Sequence, residues 1–359
     1  MSLPKEDPDI IRIFSYSGGG TKGYGANRFT KKFLHQWGVP QADFWKYVDV
    51  FCGTSIGGIL ACGYSFGKTP DEMELFFLEK AKKIFTTSGT IDSKRPTTFE
   101  KISSIAASTI GDIITDYSGG SIQGFSSEFY RSPSEDSTYG HNILHQTLVE
   151  TFGTKTLANL NNYVAIPSFE ADRNRFIVFS NFNDPSYFTG TSASIVDVCR
   201  ATSAAPIYLP SYSFNGHIYI DGGIYANDPV LAAINIARTV KPNARKIVIV
   251  GVGCGIGNMS FDGSTEQLTT NSGIMAIANL LKTGMIGSEE WTRYYLDYLS
   301  SRTDTEIYYY KFQPIFPLDF PNELDNSTAE WFEQLGDLID MHYANESAKI
   351  SSVLSRLTV

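Results

Sequence analysis

Twice between Ile10 and Phe66 an apolar run stops in a cluster of glycines and hands over to a stretch with helical spacing. Ile10 to Ser17 reads as a short buried strand running into Gly18-Gly19-Gly20-Thr21-Lys22-Gly23, a segment too glycine-rich for any regular element, and a helix follows to about Trp37. The apolar strand Val48 to Cys52 repeats the pattern. It ends in Gly53-Thr54-Ser55-Ile56-Gly57-Gly58, after which small and apolar residues through Phe66 form a buried helix. Strands alternating with helices in this way imply an α/β layered fold around a mostly parallel sheet.

The rest of the chain continues that alternation. Thr69-Pro70-Asp71-Glu72 supplies an N-cap, a proline at the first helical position and a capping-box acid for a helix reaching Phe85. From Thr86 to Gly140 the composition turns to Ser, Thr and Gly with scattered aromatics, around an apolar helical stretch near Ile102 to Ile114. This segment reads as a lid or insertion, or equally as a surface excursion. Asn142 to Phe152 is a helix stopping at Gly153, and Asn162 to Ser168 pairs with Arg175 to Ser180 across a turn of Ala171-Asp172-Arg173-Asn174. Ser194 to Ser203 is helical, and His217 to Ile220 is a strand that delivers Asp221-Gly222-Gly223. Asp228 is placed to cap, and Pro229 to begin, a helix to Val240. Lys246 to Val252 is the β-branched run of a strand covered on both faces. Ser327 and Glu330 form a second capping box for a final helical region.

Composition narrows the classes. With 29 basic against 38 acidic residues in 359, net charge −9, the chain lacks the basic face of a dedicated nucleic-acid binder, and 19% charged with 13% aromatic residues is not the profile of a disordered chain. Four cysteines without a Cys-x-x-Cys pair indicate buried reduced thiols rather than a zinc ribbon or a disulfide framework. Met1 to Asp9 is charged and proline-containing, without a secretory apolar core, and no uncharged apolar stretch reaches the ~18 residues of a membrane span. The expectation is a soluble protein, cytoplasmic or exported without a classical signal peptide. Any membrane contact would be peripheral.

The chemistry concentrates at the glycine turns. Gly53-Thr54-Ser55-Ile56-Gly57 is a Gly-x-Ser-x-Gly where a strand meets a helix, so Ser55 sits on a tight elbow with a helix N-terminus behind it. Gly18-Gly19-Gly20 can turn backbone N–H groups toward one anion, as an oxyanion hole requires. A phosphate cradle is the competing reading, although the Gly-x-x-x-x-Gly-Lys-Ser/Thr spacing fails at Lys22; a purely structural turn is the other. None of the five histidines, His35, His141, His145, His217 and His342, has a setting that suits a base. Ser55, Asp221, His342 has the chain order of an α/β-hydrolase triad, but that fold carries more strands before its nucleophile than residue 55 permits. Asp221, at a strand end before two glycines, is the better base: a carboxylate with a pKa of about 4 is ionised at neutral pH and can accept the serine proton directly, given partial burial to raise its basicity.

Taken together, Gly18 to Gly23, Gly53 to Gly57 and Asp221-Gly222-Gly223 in that order, with Ala201-Thr202-Ser203-Ala204-Ala205-Pro206 before the aspartate and Asn227-Asp228-Pro229 after it, resemble the patatin-like phospholipases. The resemblance covers roughly residues 10 to 255. It implies a three-layer α/β/α fold with a mostly parallel central sheet, and a Ser55–Asp221 dyad without a catalytic histidine. Gly18, Gly19 and Gly20 would form the oxyanion hole, Gly53 and Gly57 the nucleophile elbow, with Lys22, Gly222 and Gly223 supporting. Ser55 would attack an acyl ester of a phospholipid or lysophospholipid, and water activated by Asp221 would release the acyl group. No cofactor, metal or calcium is implied.

The chain departs from the family at Lys22, where arginine is common, and at Ser17, where aspartate is frequent. Lysine keeps the charge but loses the planar fork. The organisation expected is a catalytic core over 10–255 including the 86–140 insertion, with 256–359 packed on it as part of the same domain and Tyr308-Tyr309-Tyr310 in the core. The expected partners are the lipid substrate, a transient membrane surface reached through the insertion, and an unknown activator, since some bacterial members are switched on by a nucleotide signal, a host protein or an oligomerisation partner. Two other readings compete: a storage or lipid-binding protein of the same fold with weak activity, and a nucleotide-binding protein using the Gly18–Gly23 loop.

Overall fold

Period-two burial along the first strand sets the layers. In a computed structural model that describes residues 4–85, 141–183, 188–206, 208–257, 273–302 and 305–357, strand β1 (Ile10–Tyr16) sends Ile10, Phe14 and Tyr16 into one apolar cluster and Ile11 and Ile13 into another. Strand β8 (Lys246–Val252) does the same, with Val248, Val250 and Val252 on one side and Ile247 and Ile249 on the other. Both faces of the sheet are therefore covered, which gives the three-layer α/β/α arrangement expected from the sequence. Each side chain fully buried this way contributes about 1.5–3 kcal/mol against the entropy of ordering the chain.

Strands β9 (Ile256–Gly257) and β11 (Ile315–Phe316) pair apart from the main sheet, which runs β10 (Glu306–Phe312), β8, β1, β2 (Val50–Gly53), β3 (Tyr163–Glu170), β4 (Arg175–Phe179), β5 (Phe188–Thr189). Strands β2, β1, β8 and β10 are parallel neighbours, and β3 joins β2 in parallel. Strand β4 returns antiparallel to β3 across the turn expected there, and β5 follows it. Against one face pack α1 (Gly23–Trp37) and α2 (Ile56–Phe66), whose Phe29, Phe33, Ile59 and Leu60 join the Phe14 cluster.

Next in the chain comes α3, a continuous run of Pro70–Leu75, a π-helical turn Phe76–Ala81 and Lys82–Ile84, opened by the expected Thr69–Glu72 capping box. After it come α4 (His141–Phe152), α5 (Ile195–Thr202) and the short α6 (Gly223–Ala226). The other face carries α7 (Val230–Val240), with Val230, Ala233, Ile234 and Ile236 in the Ile11 cluster, and α8 (Gly273–Ser300), which adds Leu296. The chain closes with α9 (Ala329–Asn345) and α10 (Ser347–Leu357), whose Leu335, Ile339, Ile350 and Val353 return to the first cluster.

One irregularity in the sheet creates the site. Strand β2 stops at Gly53, opposite the start of β3, while β3 runs on to Glu170. The vacated edge of β3 is filled by β7 (His217–Asp221), which lies antiparallel and sets Asp221 opposite Ser168; β6 (Tyr212–Phe214) pairs outside it. The last residue of β7 is thereby brought beside the turn that ends β2.

Two cap assignments are corrected. Helix α7 starts at Val230 with Pro229 at the cap position, and Asp228 does not cap it, because its carboxylate is turned inward to Ser15, Tyr309 and Lys311. Helix α9 is capped by Thr328, whose hydroxyl accepts from Trp331 N–H at 3.2 Å, one residue past Ser327. The 86–140 segment, including the helical stretch expected near Ile102 to Ile114, lies outside the described residues. All four cysteines are buried and free. Among the described residues no helix is long and apolar enough to cross a membrane.

Candidate active site

The elbow at Ser55 is held by close backbone packing. Ser55 adopts φ 56° and ψ −126°, a conformation unfavourable for a non-glycine residue, and α2 begins immediately after it. A Cβ on Gly57 would run into the Tyr16 carbonyl, so only glycine lets α2 approach the end of β1 this closely. Ser55 N–H donates to Thr202 Oγ1 at 3.0 Å, and that hydroxyl donates to the Pro167 carbonyl at 2.6 Å. Helix α5 and strand β3 thus fix the orientation of the serine backbone.

Asp221 faces this serine. Its carboxylate accepts the Gly223 N–H at 2.7 Å and lines the same end of the cavity as Ser55, while its own N–H donates to the Ala204 carbonyl at 2.9 Å. Both residues are nearly enclosed, Ser55 at 8% and Asp221 at 6% exposure. Burial pushes the Asp221 pKa up from 3.8 to about 6, against the lowering effect of Ser55 and of the Gly223 hydrogen bond. The basicity that a plain carboxylate lacks is therefore supplied by desolvation.

The glycine loop crosses in front of the pair, and its three residues are not equivalent. Gly18 N–H is already taken by Asn227, whose side-chain Oδ1 accepts it at 3.1 Å and whose carbonyl lies 3.3 Å away. Gly19 and Gly20 instead line the same cavity as Ser55 and Asp221, with Gly20 at φ +60° in the left-handed region. Lys22 does not line that cavity. Its buried ammonium donates to Asn322 Oδ1 at 2.9 Å, and desolvation pulls its pKa down to about 8.

The cavity opens to solvent, and it and its mouth together hold about 940 Å³ of empty space, open solvent included. Ser55, Asp221 and the two glycines form its polar end, whereas Phe76, Phe77, Ile84, Leu144, Leu209 and Met285 make the remaining wall apolar. Two walls, from α4 and α8, are well removed in sequence from the glycine motifs. No histidine among the described residues lines it. His217 Nδ1 lies 2.8 Å from Asp172 Oδ2 and 3.1 Å from Glu170 Oε1 at the far end of β7, and His342 is half-buried beside Phe29.

Sequence reasoning missed the polar cluster behind the glycine loop. Lys311 on β10 donates to Ser17 Oγ at 2.6 Å and Asp228 Oδ2 at 2.7 Å, and Asn227 Nδ2 donates to Glu289 Oε1 at 2.6 Å. Asn227 and Asp228 were singled out as family-like text, but nothing local to Lys311 or Glu289 marks them.

A family model described as patatin-like phospholipase matches residues 14–234. Among curated proteins the chain is 26% identical over 288 residues to patatin-like protein 2 of Oryza sativa, covering 71% of this chain and 63% of that one. It is 25% identical over 301 residues to a cGAMP-activated phospholipase of Escherichia coli, covering 80% and 68%. With the calcium-independent phospholipase A2-gamma of Rattus norvegicus it shares 23% over 359 residues, 96% of this chain and 40% of that one. The chain thus spans less than two thirds of the rice and rat relatives. Human GIVD cytosolic phospholipase A2 superposes with a TM-score of 0.48 at 10% identity, covering 98% of this chain and 61% of that chain. With the family match covering more than half of its length, the chain belongs to the patatin-like phospholipase family.

Proposed function

We propose that this protein is a carboxylic ester hydrolase of the phospholipase A or lysophospholipase type that cleaves acyl esters through Ser55 and Asp221. The observation that carries the reading is a serine on a strained elbow that shares the polar end of an apolar cavity with a buried carboxylate. Such a cavity suits an acyl chain, and its polar end suits the ester.

Asp221 takes the Ser55 proton as Oγ attacks the acyl carbon, and the charge that develops on the carbonyl oxygen meets the Gly19 and Gly20 amides and the α2 N-terminus. The alcohol leaves with the proton from Asp221. Water then enters, loses a proton to the same carboxylate as its oxygen bonds to the acyl carbon, and the acyl group leaves Ser55, whose Oγ takes that proton back from Asp221.

The test is release of free fatty acid from mixed phospholipid vesicles by wild type, Ser55→Ala and Asp221→Ala, each checked for folding by circular dichroism. Because the Escherichia coli relative is named for activation by cGAMP, parallel arms include and omit that nucleotide. Loss of hydrolysis in both variants is the expected result. Hydrolysis that survives Ser55→Ala refutes the mechanism, and an inert wild type in both arms refutes the activity.

A further inference from the structure

Lys311 lies beyond the 14–234 stretch matched by the family model, on the strand β10 that borders β8. Its ammonium nevertheless reaches the back of the glycine loop. An ammonium has three protons and accepts nothing, and here they meet three different segments. Ser17 Oγ, immediately before the glycine loop, lies at 2.6 Å; Asp228 Oδ2, in the turn after the catalytic aspartate, at 2.7 Å; Glu289 Oε2, on α8, at 3.4 Å. The cluster is nearly closed to solvent, with side-chain exposures of 14% for Lys311, 0% for Asp228 and 10% for Glu289. The cation is thus shared between two carboxylates that are withdrawn from solvent with it.

The second half of the chain of contacts runs through Asn227. Its amide has two chemically distinct ends, and its carbonyl end faces the Gly18 N–H at 3.1 Å. Nδ2 also reaches the Gly18 carbonyl, at 3.5 Å, and which end meets the Gly18 N–H is decided by the shorter bond of the NH₂ group. The partner in that bond is Glu289 Oε1, 2.6 Å from Nδ2, which when ionised can only accept and so selects the NH₂ group. Gly18 is thereby tied back, and the next two residues of the loop are presented to the cavity that holds Ser55.

We propose that Lys311 is a positioning residue for the oxyanion loop: by holding Ser17, Asp228 and Glu289 it fixes the Asn227 amide and, through it, the direction of the Gly18–Gly20 backbone. The proposal rests on the Ser55–Asp221 reading for its kinetic consequence, but not for its structural one.

The experiment compares full-length wild type, Ser55→Ala, the charge-balanced double variant Lys311→Met with Asp228→Asn, and Glu289→Met, which leaves no acceptor for Asn227 Nδ2. Two quantities are read: kcat and KM on a dissolved p-nitrophenyl acyl ester, and amide hydrogen exchange of the peptide containing Gly18 to Gly20. Loss of one oxyanion donor typically costs ~10²–10³ in rate, so misdirecting the loop is expected to lower kcat by at least about tenfold in both variants. KM should stay within about threefold, and the loop amides should exchange about tenfold faster, with the exchange of α1 unchanged. A kcat within about threefold of wild type in either folded variant, or loop exchange that does not change, overturns the proposal. If the double variant fails to fold, Glu289→Met, which keeps the Lys311–Asp228 pair but frees the Asn227 amide, decides alone. If wild-type turnover does not depend on Ser55, the dyad reading fails and the exchange measurement still decides whether Lys311 sets the loop.

Discussion

Replacing Asp221 by asparagine separates the two effects of burying a carboxylate beside the nucleophile. In the folded protein burial holds the Asp221 proton up to about pH 6, whereas the ordinary value is 3.8. The folded state therefore binds this proton more tightly than the unfolded chain does. It carries no penalty below pH 3.8, loses stability as pH rises from there to about 6, and bears the whole cost above that. The gap of about two pH units, at ~1.36 kcal/mol each, amounts to about 3 kcal/mol at neutral pH. Asparagine has the same shape and no charge: its Oδ1 can accept the Gly223 N–H and its Nδ2 can donate to Ser55 Oγ. Urea unfolding of wild type and Asp221→Asn across pH 4 to 8 should give equal stabilities near pH 4 and a variant more stable by about 3 kcal/mol at pH 7. Hydrolysis should fall by ~10²–10⁴ in the same protein, because asparagine cannot take the serine proton. An Asp221→Asn stability difference that does not vary with pH, or a variant less stable than wild type at pH 7, refutes the claim that desolvation of Asp221 sets its basicity.

Further outcomes follow from the same geometry. Wild-type kcat/KM should fall about tenfold per unit below pH 6, since only ionised Asp221 is a base; a profile flat from pH 4.5 to 7 contradicts its role. Thr202→Val leaves Ser55 N–H and the Pro167 carbonyl unpaired in a site with 0% exposure at Thr202, and should cost about 1–3 kcal/mol by urea unfolding together with slower turnover. Gly57→Ala forces a methyl group onto the Tyr16 carbonyl and should destabilise the protein by about 1–3 kcal/mol or more; a variant with wild-type stability and turnover shows that the elbow is looser than described. Treatment with EDTA should leave ester hydrolysis unchanged, because each proton transfer proposed lies between Ser55, Asp221, substrate and water.

What the sequence disclosed was local. The elbow, the glycine loop and the Thr69 cap each declare themselves within six residues, because a tight turn or a cap is satisfied by its immediate neighbours. Lys246 to Val252 was legible as an interior strand for a similar reason, as burial on both faces leaves an unbroken β-branched run. Asp228 reads as a cap because a carboxylate before a helix usually is one, and what turns it inward, Ser15, Tyr309 and Lys311, lies far off in sequence. Glu289 and Lys311 sit on amphipathic elements where a charged residue is expected at the surface, so nothing in their neighbourhood signals burial. The unequal roles of Gly18, Gly19 and Gly20 were likewise hidden, since three identical residues in a row give no hint of which amide Asn227 has already claimed.

The short β2 has a final consequence for the durability of the catalytic pair. Ser55 sits on the turn between β2 and α2 and is tied to α5 through Thr202, whereas Asp221 ends a strand joined to β3 by a seam of three residue pairs and tied at its outer end by Asp172. Segments held by so few contacts open at a lower free energy than the body of a fold. The nucleophile and its base therefore belong to regions of unequal permanence, and the pair can come apart at the hairpin while the sheet that carries the serine stays intact.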